Sequence, residues 1–164
     1  MQHIFFATKI IMEQDIHYTN TIHYELEQTV RLMRMLTLQL FEKLNIGVSF
    51  DECIVLDLIS CNEGICQRDL AKMILKDRAN TGRIINSLDK KGFIERVLDL
   101  KNNRLVKKIK INKKGLELLD STTHKIRSYI DGVTMTVSKD EINRIRDTLR
   151  VFRLNLEKVV EVNI

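Results

Sequence analysis

The side chains with the most chemistry in this sequence are cations and amides, not nucleophiles. The stretch following Asp77 reads RANTGRIINSLDKKG and holds Arg78, Asn80, Thr81, Arg83 and Asn86. Arginine can donate two hydrogen bonds to guanine, and asparagine can pair two-fold with adenine. Gln67 and Arg68 precede this stretch, while Lys101, Arg104, Lys107 and Lys108 follow it, in and after an Asn-rich turn. Such groups suit phosphates, which position a protein on a duplex without reading its sequence. From Ile65 to Gly115 there are 15 Lys/Arg against 5 Asp/Glu, a local balance of +10, whereas the whole chain carries +5. Clustering on this scale favours a polyanion-binding surface over a merely solvated one.

Other chemistries find little support. There is no Gly-rich phosphate loop, nucleophile elbow or convincing carboxylate pair, so the chain reads as a non-enzyme without a cofactor. His17, His23 and His124 form no His-x-x-x-His pair, and no Cys-x-x-Cys occurs, so no metal site is expected. The cysteines number three, Cys53, Cys61 and Cys66. An odd count without a secretory signal suits a reducing cytoplasm better than a disulfide scaffold. Cys66 falls at a helix start, where the helix dipole favours thiolate, which makes it a possible redox residue. The commoner reading is a small, inert, partly buried side chain.

Positioning these groups requires a mostly helical frame. The chain has 164 residues, 44% of them apolar, no proline and six glycines, so long segments are free of helix breakers. A long first segment runs from about Ile16 to Leu44, with strong helical periodicity from near His23, and ends at Asn45-Ile46-Gly47. Ser49 and Glu52 form a capping box for a second helix with Ile54, Val55, Leu58 and Ile59 inward. The next helix starts at Gln67 and buries Leu70, Ala71, Met73 and Ile74. Asp77 then caps a helix from Arg78 to about Lys91, with Ile84, Ile85, Leu88 and either Ala79 or Thr81 facing the core. Strand-like runs Phe93–Leu98 and Leu105–Ile111 enclose a turn at 99–104. Asn112 caps a helix with Leu116, Leu119, Ile126 and Ile130 on one stripe. Ser138 and Glu141 box the last, which shows Ile142, Ile145, Leu149, Phe152, Leu156 and Val159. Met33 and Met35 read as core filler of the first helix.

Helix, tight turn, helix and basic hairpin is the plan of a winged helix-turn-helix. A helix fits the major groove, about 12 Å wide, and a basic wing tip suits the neighbouring minor groove. The run LAKMILKDRANTGRIINSLDKKGFIER resembles the multiple-antibiotic-resistance regulators (MarR family). Its anchors are Leu70-Ala71, the series Arg83, Leu88, Gly92 and Arg96, and Asn112 to Gly115. The resemblance spans roughly Tyr24 to Val160. Three positions depart from the family pattern: Gly82 stands for a threonine, Lys76 for an apolar turn residue, and the wing tip reads Asn103-Arg104-Leu105.

The expected fold is therefore mainly α, a winged helix-turn-helix with long N- and C-terminal dimerisation helices and a two-stranded β wing. Residues 1–15 form an N-terminal extension, 16–48 the first dimerisation helix, 49–115 the DNA-binding region and 116–164 the C-terminal dimerisation helices. The extension MQHIFFATKII lacks a basic n-region and is too short to span a bilayer; it is either an ordered extension of the first helix or precedes a start at Met12. The resemblance implies a homodimer on a pseudo-palindromic operator in double-stranded DNA, and the expected role is a repressor that responds to a small organic effector or an oxidant. A dimeric winged-helix scaffold that binds protein, and an unspecific nucleoid-type binder, are the alternatives.

Overall fold

The computed structural model describes residues 17–101 and 104–160, with the side chains at 101 and 104 left outside; expectations for residues 1–15 also lie outside the described residues. Six α-helices and one antiparallel hairpin follow in order: α1 (Ile22–Lys43), α2 (Phe50–Cys61), α3 (Gln67–Met73), α4 (Arg78–Lys90), β1 (Ile94–Lys101), β2 (Arg104–Ile111), α5 (Lys113–Thr134) and α6 (Lys139–Glu157). This is a mainly α winged helix-turn-helix. Residues up to Lys43 and residues from Leu44 onward form two compact units.

In the first unit, α1 begins at Ile22, close to where its periodicity starts, and later than the start near Ile16 expected for the whole segment. A short 3-10 turn, Tyr18–Asn20, precedes it and folds back, with the Tyr18 hydroxyl donating to Glu27 Oε2 at 3.1 Å. Thr21 closes the turn by bonding the Tyr18 carbonyl. Val30, Leu32, Met33, Met35 and Leu38 of α1 are exposed.

In the second unit, caps legible in the sequence set the helix starts. Ser49 and Glu52 satisfy each other's backbone N–H at the head of α2, and Ser138 and Glu141 do the same for α6; Asp77 and Asn112 cap α4 and α5 singly, accepting from the N–H three residues on. The core joins Val48, Val55, Leu56 and Ile59 to Leu70, Ile85, Leu88, Ile94 and Ile109. Leu56 joins Val55 and Ile59 there, whereas Ile54 is only half-buried. Met73 is exposed, contrary to expectation, because α3 ends at that residue and the chain turns away. The turn passes through Leu75, whose φ of 52° is unusual for a side chain with a Cβ.

Both hairpin strands extend further toward the tip than their composition suggests. Asp99, Leu100 and Lys101 continue β1, opposite Val106, Leu105 and Arg104. At the root, the Ile109 N–H donates to the Ile65 carbonyl at 2.9 Å, adding a single rung from the loop before α3. The start of α5 closes the same end: Asn112 Nδ2 donates to the Gly92 carbonyl at 3.0 Å and Lys114 Nζ to the Lys91 carbonyl at 2.9 Å. Gly115 makes this approach possible, since a Cβ there would lie 2.3 Å from the Phe93 carbonyl oxygen. On α5 and α6, Leu116, Ile130, Ile145, Leu149, Leu156 and Val159 are exposed, so most of the two expected apolar stripes is uncovered in a single chain.

Candidate nucleic-acid interface

The first turn of α4 is built around Asp77. Its Oδ1 accepts from the Asn80 backbone N–H at 2.7 Å, and this bond above all holds the carboxyl below the usual aspartate range. Its other oxygen takes the Asn80 side-chain amide. Asn80 Oδ1 in turn accepts from Arg83 Nη1 at 3.0 Å. Asp77, Asn80 and Arg83 thus form one chain of hydrogen bonds along the outer side of the helix. Asn80 and Arg83 are exposed, three residues apart, and adjacent on the helix surface. Arg78, the first residue of the helix, is also exposed.

Thr81 departs from this set. It is fully buried and its hydroxyl donates to the Asp77 carbonyl at 2.8 Å. A residue with no accessible surface cannot touch a groove, so Thr81 is a core residue of α4, and Ala79 is the exposed member of that pair.

Gln67 has a positioning role. Its Nε2 donates to the Arg78 carbonyl at 2.9 Å, linking α3 to the first turn of α4. A Cβ on Gly82 would come within 3.0 Å of that same nitrogen, so glycine here gives the Gln67 amide room to reach. Arg68 points elsewhere, with Nε 3.8 Å from Asp69.

Beyond α4 the cations divide by partner. Lys108 is held by Asp99 across the hairpin, and Lys110 by Glu63 at 2.9 Å. Those lysines keep the Asp99 and Glu63 carboxyls below their ordinary values. Arg96 was read only as part of a sequence pattern, yet it locks the wing to the helix: Nε lies 3.0 Å from Asp89 and Nη2 donates to Asn86 Oδ1 at 2.5 Å. Asn86 is therefore exposed but already engaged. Lys76 and Lys91 pair with Asp51 and Glu52. The +10 stretch is thus partly neutralised from within, from α2 and from Glu63 just after that helix, leaving Lys72, Arg78, Arg83, Lys90 and Lys107 among its exposed cations. Lys101 and Arg104 face each other as the last pair before the tip; their side chains lie outside the described residues.

The cysteines are all free thiols. Burial, with Asp57 and Glu52 nearby, pushes the Cys53 thiol up to about 11, so it stays protonated. Cys66 does occupy the N-cap of α3, but its thiol donates to Asp69 Oδ2 at 3.0 Å and does not cap the helix backbone. Among the described residues, no helix is long and apolar enough to cross a membrane.

A helix presenting arginine and asparagine outward, held by a short helix behind it and flanked by a hairpin, coincides with a sequence match: the MarR family model covers residues 52–106. The match falls on the winged helix-turn-helix, which is similar to the MarR family over those residues. Solved structures extend the likeness to most of the chain. The MepR–DNA complex from S. aureus superposes with a TM-score of 0.70 at 18% identity, over 85% of this chain and 99% of that one. The transcriptional regulator SlyA matches with 0.69 at 25% identity, over 84% and 94%. Apo MarR from E. coli matches with 0.65 at 18% identity, over 80% and 96%. No curated protein matches the chain in sequence. Within the matched region, α4 is the second helix of the helix-turn-helix and the β1–β2 hairpin is its wing.

Proposed function

We propose that this chain is a sequence-specific transcription regulator that binds double-stranded DNA as a cytoplasmic homodimer, repressing until a small organic effector releases it. One observation carries the reading: the outer edge of α4, where Arg78, Asn80 and Arg83 stand exposed at the start of a helix narrow enough for the major groove. The relative crystallised on DNA, MepR, shares this fold. Lys107, exposed on β2, is a candidate phosphate contact, and Lys101 and Arg104 end the two strands beside the tip.

Dimer formation is supported by the uncovered apolar residues of α1, α5 and α6. Two copies would place two α4 helices in successive major grooves, about 34 Å apart. Of the two triggers, an effector is favoured over an oxidant, because burial holds Cys53 protonated and the Cys66 thiol is half-buried and donates to Asp69.

The test is selection of bound sequences from random duplex DNA, followed by affinity measurement across a salt series. A regulator enriches a two-fold symmetric site and loses affinity steeply as salt rises. A protein-binding scaffold enriches nothing, and a nucleoid-type binder is competed equally by random DNA.

A further inference from the structure

The hairpin carries an apolar strip that the phosphate-and-base scheme leaves unused. Arg96 and Ile109, Leu98 and Lys107, and Leu100 and Leu105 are register pairs two residues apart, so they lie on one face. At the root this face serves the fold: Ile109 is buried, and Arg96 reaches Asn86 and Asp89 of α4. Farther out, Leu98, Leu100 and Leu105 are 63%, 70% and 71% exposed. The opposite face is occupied by the Lys108–Asp99 and Lys110–Glu63 pairs. Leu100 and Leu105 face each other directly, one register step inside the terminal Lys101–Arg104 pair. Three leucines at that exposure contribute little to the core and make a solvent-facing strand pair prone to association.

The charges beside the strip indicate what covers it. Lys107 shares its face, paired in register with Leu98, so a cation stands beside the leucines. A duplex offers the matching surface: anionic phosphates outside, apolar deoxyribose walls inside, and base steps that apolar side chains can pry apart. The strip also runs outward from the face that grips α4, the helix assigned above to the major groove.

We propose that Leu98, Leu100 and Leu105 form an apolar contact with the minor-groove wall of the duplex that α4 reads, with the Leu100–Leu105 pair acting as a wedge. This rests on the DNA-binding reading above and adds a specificity to it. The wing then selects sites by how easily their steps open, favouring flexible pyrimidine–purine steps where it lands. Apolar burial releases few counterions, so this contact adds affinity without adding to the salt dependence.

The experiment uses the full chain and a duplex enriched from random DNA, labelled at both ends for energy transfer. The double variant Leu100→Ser/Leu105→Ser is compared with wild type and with Leu100→Met/Leu105→Met. The serine pair is expected to bind about tenfold more weakly, with an unchanged salt slope and a smaller DNA bend. The methionine pair restores both affinity and bend. Wild-type affinity and bend in the serine pair would overturn the proposal. So would a change confined to self-association in sedimentation, which would make the strip an interface between copies. If wild type binds no duplex, the regulator reading fails first. If wild type binds and Arg83→Ala weakens it while the serine pair does nothing, this inference alone fails.

Discussion

Arg83 and Lys107 are both exposed cations, yet substitution should affect them differently. Arg83 is exposed on α4 with its guanidinium steadied by Asn80, and the proposed function gives it a base to read. Arg83→Ala is expected to weaken binding to the selected duplex by ~1–3 kcal/mol and to relax sequence preference. Titration against selected and scrambled duplexes checks this; equal losses on both would remove Arg83 from the base-reading set. Lys107→Ala should lower affinity almost equally on every duplex and reduce the salt slope by about one. Lys108 is a poorer phosphate ligand than its neighbour, because Asp99 must first release it. That distinction was invisible in the sequence, where both residues sit in one run of lysines. The burial of Thr81 was equally hidden. Thr81 and Ala79 are both small, and only the hydroxyl bond to the Asp77 carbonyl shows how a threonine is accommodated inside.

At the scale of elements, helix starts were the most legible feature, because a cap is a local contact between residues three apart. Ser49–Glu52, Asp77, Asn112 and Ser138–Glu141 all cap as their spacing implies. The hairpin ends were not legible, since Asp99 to Lys101 has turn-like composition and only cross-strand pairing makes it strand. Gly115 shows a packing constraint overriding propensity. Alanine would favour the helix by about 1 kcal/mol, but its Cβ would lie 2.3 Å from the Phe93 carbonyl oxygen. Gly115→Ala is therefore expected to lose about 1–3 kcal/mol in urea denaturation.

Glu52 carries a pH dependence. Burial pushes its carboxyl up, but bonds from Lys91, Ser87 and the Ser49 N–H outweigh this and hold it below its ordinary 4.5. Its ionised form thus stabilises the fold above pH 4.5, and that contribution disappears as pH falls through the lowered value. Glu52→Gln should cost about 1–3 kcal/mol near pH 7, with the deficit shrinking in acid. Denaturant midpoints measured at both ends of that range decide it; a constant deficit would place the stabilisation elsewhere.

For the whole molecule, the uncovered apolar residues are the main unexplained cost in a lone chain. Ile145, Leu149 and Leu156 lie at helical spacing along α6 and are exposed. Leu149→Asp should shift the protein toward monomer in sedimentation, keep its helical circular dichroism and weaken binding to the symmetric site. An unchanged dimer would move the interface away from this part of α6. The sequence showed these stripes as apolar and periodic, but periodicity cannot say whether a face meets its own core or another copy.

The attachment of α4 bears on how such a protein could be controlled. Gln67 grips its first turn through the Arg78 carbonyl, and Glu52 grips the residue after its last turn through Lys91, at 2.8 Å. Arg96 fastens one side between these points. A rod fixed at both ends and along its flank cannot roll or tilt on its own. A shift of α4 is therefore expected to carry α2, α3 and the hairpin with it, as cargo of one body.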